Sequence, residues 1–319
     1  MLRLAPVKII REAGMTSAVQ PVITALGAVI LGKNQQLKLS LACFLAKGHL
    51  LIEDLPGMGK TTLAEALART LGLSYQRLQF TSDMLPADII GVSIFNPAEQ
   101  EFSFRAGPIF TQVLLADEIN RTSPKTQSAL LEAMEEGQVT IDGMTRPLPK
   151  PFFVIATQNP SSQMGTFPLP ESQLDRFLMR IQLGYPDPRA ERELLTGTDR
   201  RVILGSLQAL ADADRLTVWQ QQIDKVHLSD AVLDYLLRLV THTRQSRDFV
   251  HGLSPRGLLA LKRATQAWAF IEGRNYALPE DVQAVLPSVA EHRLRGSIED
   301  QSRMHSLTSQ LLNAVDVIG

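Results

Sequence analysis

The chain has 319 residues, of which 45% are hydrophobic and 20% are charged. That length suits two unequal folded domains, because single hydrophobic cores rarely grow beyond about 250 to 300 residues. The 32 basic and 33 acidic side chains leave a net charge of -1. This balance argues against a protein dedicated to nucleic acid, since such binding depends on a surplus of cationic side chains that displace counterions.

The N-terminal segment predicts neither a membrane span nor an export signal. The apolar run at residues 21–31 is shorter than the roughly 20 residues that cross a bilayer. Arg3, Lys8 and Arg11 are not followed directly by an apolar core and a small-residue cleavage site. The single cysteine, Cys43, lies in an apolar helical run, so we expect a packed thiol in a protein of the reducing cytoplasm.

Between residues 49 and 183, short apolar runs alternate with helical patterns, which is typical of a parallel β-sheet with helices on both faces. The runs predicted to be strands are residues 50–52, 78–80, 113–116, 153–156 and 180–183. Two further segments, residues 92–104 and 139–146, are predicted to be small hairpins. In the second hairpin, Asp142 and Gly143 suit a tight two-residue turn.

The Pro-Asp-Pro segment at residues 186–188 ends the sheet pattern, and a helical pattern follows it to the C terminus. We therefore predict a domain boundary there, with an α/β domain over residues 1–185 and a smaller all-α domain over residues 186–319. Within the second domain, Ser229 and Ser254 are placed to cap the starts of two helices.

The loop after the first predicted strand ends in Gly59-Lys60-Thr61, which is the sequence that an anchored triphosphate requires. Glycines let backbone N–H groups approach phosphate oxygens, and the helix that begins near Lys60 adds the positive end of its dipole. Lys60 would bind the β and γ phosphates, and the Thr61 hydroxyl would bind Mg²⁺. The predicted phosphate-binding set is Pro56, Gly57, Met58, Gly59, Lys60, Thr61 and Thr62.

Asp54 departs from the strict phosphate-loop pattern, which has glycine five residues before Gly59. The alternative interpretation is an ordinary helix cap, because a Gly-Lys-Thr tripeptide also occurs by chance. The tripeptide lies between a buried strand pattern and the helix predicted for residues 61–71, and that context favours a phosphate site.

Polar residues also end two other predicted strands. Asp117 is placed to hold the water shell of Mg²⁺ opposite Thr61, while Glu118 is placed to polarise an attacking water. A solvated acidic pair at a strand end is the alternative. Asn159 could hydrogen-bond both the γ phosphate and the attacking water, or it could cap a turn before Pro160.

Together these motifs resemble those of AAA+ ATPases, and more narrowly those of the MoxR family. The matching segments, in order, are residues 48–61, 80–88, 117–121, 127–134, 156–160, 169–177 and 254–256. The resemblance implies an α/β fold, a P-loop αβα sandwich with a five-stranded parallel sheet and a smaller all-α lid. It makes residues 59–61 the Walker A site, Asp117 and Glu118 the Walker B site, and Asn159 the first sensor. The hairpins fall where this branch of the superfamily carries insertions.

Two arginines take their predicted roles from the same resemblance. Arg176 matches the arginine finger that reaches a neighbouring subunit's nucleotide, and Arg256 matches the second sensor on the lid. A cation in the first turn of a helix opposes the helix dipole, so an anion such as a phosphate in front of Arg256 would remove that conflict. The alternatives are a surface ion pair of Arg176 with Asp175 or Glu171, and an exposed Arg256 that points away from the helix end.

The resulting prediction is a Mg²⁺-dependent ATP hydrolase that works as a homo-oligomeric ring, a hexamer by resemblance. The family implies chaperone-like remodelling or maturation of a protein client and a partner with a von Willebrand factor A type domain. Three alternatives stay open: a magnesium-chelatase-like motor subunit, a DNA translocase, and a scaffold that binds ATP without turnover. The hairpins offer few basic residues for a DNA pore, so nucleic acid is the less favoured partner.

Overall fold

The structure is a computed structural model that describes residues 18–159, 165–296 and 306–318. The helices are α1 (Gln20–Val29), α2 (Asn34–Leu45), α3 (Lys60–Thr70), α4 (Pro86–Ile90), α5 (Pro124–Glu136), α6 (Glu171–Leu174), α7 (Pro188–Thr196), α8 (Arg200–Ser206), α9 (Ala213–Asp224), α10 (Asp230–Gln245), α11 (Pro255–Ile271), α12 (Pro279–Ala290) and α13 (Leu307–Ala314). The strands are β1 (Leu50–Glu53), β2 (Tyr75–Gln79), β3 (Gly91–Asn96), β4 (Glu101–Ala106), β5 (Val113–Asp117), β6 (Gln138–Ile141), β7 (Met144–Pro147), β8 (Phe153–Gln158), β9 (Met179–Ile181), β10 (Phe249–His251) and β11 (Arg295–Gly296).

Five strands form the predicted parallel sheet, and their order in it is β2-β5-β8-β1-β9. The three central strands consist of nearly continuous buried residues, because helices or loops cover both of their faces. The two edge strands were located less accurately. The prediction found only the end of β2, since this strand is largely polar and partly exposed.

The sheet lies between two hydrophobic clusters, which side chains of alternating strand positions fill. In β5, Val113 and Leu115 belong to one cluster, whereas Leu114 and Ala116 belong to the other. The first cluster takes residues from α1, α2, α3 and the helices α8 to α13, and the second takes residues from α4, α5 and β6. The arrangement is the predicted αβα sandwich.

Both predicted hairpins are present and antiparallel. Strand β3 pairs with β4, and β6 pairs with β7. Asp142 and Gly143 join β6 to β7 with φ angles of 52° and 76°, so this turn has the two positive angles that its sequence predicts.

The region after residue 185 is largely helical, with Ser229 and Ser254 capping α10 and α11 through their hydroxyl oxygens. The predicted all-helical pattern missed one short antiparallel pair, β10 with β11, because strands of two or three residues have no recognisable periodicity. One continuous hydrophobic cluster includes side chains from both sides of residue 185, so the boundary placed there stays a prediction.

The N-terminal helices pack onto the rest of the fold. Cys43 in α2 is completely buried, and burial raises the pKa of its thiol, so the packed thiol predicted from sequence is confirmed. The apolar run at residues 21–31 corresponds to α1, which lies in the first hydrophobic cluster. Across the described ranges, every helix is too short or too polar to cross a bilayer.

Candidate nucleotide-binding site

The carboxyl ends of the central strands converge on a cavity of about 360 Å³, at the edge where open α/β sheets bind their ligands. Its lining residues are Pro56, Gly57, Gly59, Lys60, Thr61, Thr62, Arg77, Gln79, Asp117, Glu118 and Asn159. The predicted phosphate loop, the predicted metal ligands and the predicted first sensor therefore meet in one place. Of the predicted phosphate-binding set, Met58 is the exception, since it packs against the first hydrophobic cluster.

The phosphate loop owes its glycines to backbone conformation. Gly57 and Gly59 have φ angles of 84° and 87°, in the region that side-chain-bearing residues rarely adopt. A Cβ atom built on Gly57 would meet nothing within 4 Å, so the space beside the loop is open. Helix α3 begins directly at Lys60 and directs the positive end of its dipole towards this space. The loop can therefore hold a phosphate group.

Lys60 is almost completely buried and binds two oxygens of its own chain. Its ammonium donates hydrogen bonds to the Asp54 carbonyl oxygen (2.6 Å) and to Asn159 Oδ1 (2.9 Å). Burial lowers the pKa of Lys60, and nearby carboxylates oppose that shift. An arriving phosphate would have to replace these two oxygens.

Asp117 has both carboxylate oxygens occupied. Oδ1 accepts a hydrogen bond from the Thr157 hydroxyl (2.6 Å), and Oδ2 accepts from Arg77 Nη2 (2.7 Å) and Nε (3.2 Å). Thr61 and Asp117 both line the cavity, which fits the few protein ligands that Mg²⁺ takes beside a nucleotide. No group of three or more His, Cys, Asp or Glu side chains that could hold a metal ion occurs in the described part of the chain.

Glu118 is bound on three sides. Its oxygens accept hydrogen bonds from Asn159 Nδ2 (3.0 Å) and Gln79 Nε2 (3.0 Å), and it forms an ion pair with Arg121 (2.7 Å). Its φ angle of 57° is unusual for a residue other than glycine, and such angles cluster at functional sites. Together with the bond from Lys60 to Asn159, the bonds of Glu118 with Asn159 and Gln79 form a continuous hydrogen-bonded chain, which we call the resting network: Lys60, Asn159, Glu118 and Gln79.

Arg176 and Arg256 line a different cavity, of about 440 Å³. Both guanidinium groups pair with one carboxylate, that of Glu135 in the last turn of α5; the distance from Arg176 Nε to Glu135 Oε2 is 3.1 Å. Arg256 lies in the first turn of α11, and the anion that it contacts in this structure is the Glu135 carboxylate.

The ion-pair partners proposed for Arg176 as an alternative were wrong. The Asp175 carboxylate binds Arg293 at 2.7 Å, and the Glu171 carboxylate binds Arg295 at 2.8 Å. The Arg256 side chain is 46% exposed and forms an ion pair with Glu135. The ion pair between Glu135 and Arg256 connects α5 of the sandwich to α11.

Comparisons with known proteins agree with this geometry. The ATPase family associated with various cellular activities (AAA) matches residues 49–179, and the AAA lid domain matches residues 241–311. YeaC of Bacillus subtilis is 47% identical over 83% of each chain. Chaperone MoxR1 of Mycobacterium tuberculosis is 41% identical over 83% of this chain and 72% of its own. The chain belongs to the MoxR family of AAA+ ATPases. A crystal structure of a candidate ATPase from Cytophaga hutchinsonii superimposes with a TM-score of 0.84, at 36% identity and over 95% of each chain.

This MoxR-family ATPase is thus an ATP-hydrolysing enzyme. Its candidate site also contains residues that the sequence analysis did not predict. Arg77 and Gln79 lie two residues apart in β2, so the two side chains are on the same face of the strand, and both bind Walker B acids. The spacing of two residues between Arg77 and Gln79 was the sequence feature that could have indicated this shared face. Thr157, which binds Asp117, gave no signal of its own because it lies inside an apolar strand.

Proposed function

We propose that this MoxR-family ATPase hydrolyses ATP in a Mg²⁺-dependent reaction, as one subunit of a ring that remodels a protein client. The observation that carries the proposal is the convergence of Lys60, Asp117, Glu118 and Asn159 at the carboxyl edge of one parallel sheet. A lysine, two acids and an amide at this edge supply the groups that phosphoryl transfer to water requires.

Each residue has a distinct proposed role. Lys60 would exchange its two protein oxygens for the β and γ phosphates. Thr61 and Asp117 would hold Mg²⁺, which neutralises phosphate charge when bound. Glu118 would orient and deprotonate the attacking water after leaving the resting network, while Asn159 would contact the γ phosphate.

The positions of Arg176 and Arg256 support the proposal that the subunits form a ring. Arg176 and Arg256 are directed at a cavity other than the one that contains Lys60, so we assign them to the nucleotide of a neighbouring subunit. Both would exchange Glu135 for phosphate oxygens at the subunit interface. The number of six subunits rests on family resemblance alone.

The client role rests on the family and on the hairpins. MoxR1 carries the name of a chaperone, and we extend that role to this chain, together with a von Willebrand factor A type partner. The two hairpins expose apolar side chains, of which Phe102 is 74% and Met144 is 62% exposed. Such side chains suit contact with flexible protein segments. We place this work in the cytoplasm, where the free thiol of Cys43 would stay reduced.

The site assignment is tested with two variants that should fail differently. Lys60→Ala should abolish nucleotide binding, because it removes the cation that meets the phosphates. Glu118→Gln should bind nucleotide normally but turn over about 10² to 10⁴ times more slowly, the usual contribution of a positioned base. Fluorescent nucleotide binding and phosphate release measure the two effects.

Matched controls are Lys38→Ala and Glu65→Gln, whose wild-type side chains form ion pairs with Glu272 and Arg69 at the surface. Both controls should behave like the wild type. Unchanged nucleotide affinity in Lys60→Ala, or unchanged turnover in Glu118→Gln, would contradict the assignment.

A further inference from the structure

Asp54, which replaces the glycine of the strict phosphate-loop pattern, connects two parts of the molecule. Its side chain is 8% exposed. Oδ2 accepts hydrogen bonds from the backbone N–H groups of Leu183 (2.7 Å) and Gly184 (2.6 Å), and Oδ1 accepts from the N–H of Leu55 (2.8 Å). Glycine has no side chain and could make none of these bonds.

The two distant N–H groups belong to the linker, which we define as residues 182–187 between β9 and α7. The chain passes through this linker from the parallel sheet to the C-terminal helices. Gly184 has a φ angle of 63°, so the chain turns at the point that Asp54 holds. The Asp54 carboxylate therefore holds the linker beside the phosphate loop, together with the Lys33 ammonium, which donates a hydrogen bond to the Tyr185 carbonyl oxygen.

The main chain of the same residue contacts the phosphate lysine. The Asp54 carbonyl oxygen accepts the 2.6 Å hydrogen bond from Lys60 Nζ, and the Asp54 N–H donates to the Gln158 carbonyl at 3.2 Å. Asp54 thus binds Lys60 through its backbone and the linker through its side chain. Any movement of the Lys60 ammonium changes the contacts of the residue that holds the linker.

We propose that Asp54 is a positioning residue that couples the occupancy of the phosphate loop to the linker, an inference that rests on the nucleotide site proposed above. Phosphate oxygens compete with the Asp54 carbonyl for the Lys60 ammonium. When Lys60 turns to the phosphates, the Asp54 peptide loses a charged partner and gains freedom to rotate. Its carboxylate then holds Leu183 and Gly184 less firmly, and the linker opens more often.

Hydrogen exchange of the linker amides tests this coupling directly, because exchange reports local opening. The wild-type chain is measured by mass spectrometry with and without a non-hydrolysable ATP analogue, at concentrations where light scattering shows the same oligomeric state. The Leu183 and Gly184 amides should exchange about 10 to 100 times faster with bound analogue, the range that hydrogen bonds to a charged acceptor imply. Equal or slower exchange, with analogue binding demonstrated, would overturn the inference. Absence of analogue binding would instead overturn the proposed nucleotide site.

Two variants separate coupling from simple support of the fold. In Asp54→Ala the linker amides should exchange rapidly with or without analogue, so the response to nucleotide disappears. Asp54→Asn retains one acceptor oxygen and should keep a reduced response, which covers the case in which Asp54→Ala does not fold. Asp187→Ala is the matched control, since the Asp187 carboxylate also accepts two consecutive N–H groups, those of Arg189 and Ala190, but has no contact with Lys60. A wild-type nucleotide response in Asp54→Ala, or an undiminished response in Asp54→Asn, would also overturn the inference.

Discussion

Asp117 is neutralised in this structure by a cation from its own chain. The Arg77 guanidinium donates two hydrogen bonds to the carboxylate oxygen Oδ2, which a magnesium water shell would also require. Half of the Arg77 side chain is exposed, so solvent screens this ion pair. With Asp117 in the metal role proposed above, Arg77 would be a competitor that the metal displaces at modest cost.

This competition predicts that two substitutions shift the Mg²⁺ concentration needed for nucleotide binding in opposite directions. Arg77→Gln should lower the Mg²⁺ concentration that half-saturates nucleotide binding by about two- to fivefold, the range that exposed ion pairs imply. Asp117→Asn should raise that concentration, because it removes the charge that attracts the metal. A magnesium titration of nucleotide binding measures both midpoints.

Arg69→Gln is the control, since it breaks an ion pair with Glu65 on α3 and should leave the midpoint unchanged. An Arg77→Gln midpoint at or above the wild-type value would show that Arg77 does not compete with the metal. An Asp117→Asn titration identical to that of the wild type would remove the metal role of Asp117.

At the scale of the structural elements, His49 connects the start of β1 to β8 and to α5. His49 Nδ1 accepts a hydrogen bond from the Val154 N–H of β8 (3.0 Å), and Nε2 lies 3.1 Å from the Met134 carbonyl of α5. The ring is therefore neutral with its proton on Nε2. Burial lowers the pKa of His49 to about 4.

This buried histidine predicts a loss of stability in acid. His49 binds a proton near pH 6.5 in the unfolded chain and only near pH 4 in the folded chain. The contribution of neutral His49 to the free energy of unfolding is therefore complete above pH 6.5 and falls as the pH drops towards 4. His49→Gln preserves one acceptor and one donor but cannot titrate. Between pH 7 and pH 5, the wild type should lose about 2 kcal/mol more free energy of unfolding than His49→Gln in urea titrations.

His251→Gln controls for the loss of a histidine, because His251 is exposed on β10. His292 is also buried with a lowered pKa, but it is present in every variant and its effect cancels. Identical pH dependence in the wild type and His49→Gln would contradict the prediction.

The accuracy of the sequence predictions follows the burial of each element. Strands β1, β5 and β8 are covered on both faces, so their apolar runs located them closely. Lys60 was found because it belongs to a recognisable phosphate-loop motif between β1 and α3. Asp117 and Asn159 were found because they lie at the carboxyl ends of apolar strands. Arg77 was missed because its contact depends on β2 pairing with β5, which a single sequence does not reveal. Glu135 was missed for a similar reason, since its partners lie far away in the sequence.

At the scale of the whole molecule, the predicted site residues line two separate cavities. One cavity contains the phosphate loop, and the other contains Arg176 and Arg256. A guanidinium supplied from outside a phosphate site contributes about 10³ to 10⁵ in rate. If the second cavity serves a neighbour, each subunit can be inactivated in two complementary ways.

Mixing two inactive variants tests this arrangement. Arg176→Ala subunits retain the phosphate site but lack the finger, whereas Lys60→Ala subunits lack the site but retain the finger. Each should be inactive alone, and mixed rings should recover part of the ATPase rate, because some interfaces combine an intact site with an intact finger. Phosphate release measures the rate, and native mass spectrometry confirms that the rings are mixed.

Arg295→Ala replaces Arg176→Ala in the control, since Arg295 forms a surface ion pair with Glu171 and its variant should be active without mixing. Mixed rings that are no more active than the sum of their parts would show that Arg176 serves its own subunit or has a structural role.

The two ends of helix α5 contact different groups of predicted site residues. Near its start, the Gln127 side chain binds the carbonyl oxygens of Ile119 and Thr122, in the segment that follows Glu118. In its last turn, Glu135 holds both arginines. In a ring built as proposed, a rod about 20 Å long would connect each subunit's own catalytic base to the groups that serve the adjacent nucleotide. Each helix would point from its own subunit to the same side of the ring, so the ring would have a structural polarity, as head-to-tail interfaces do.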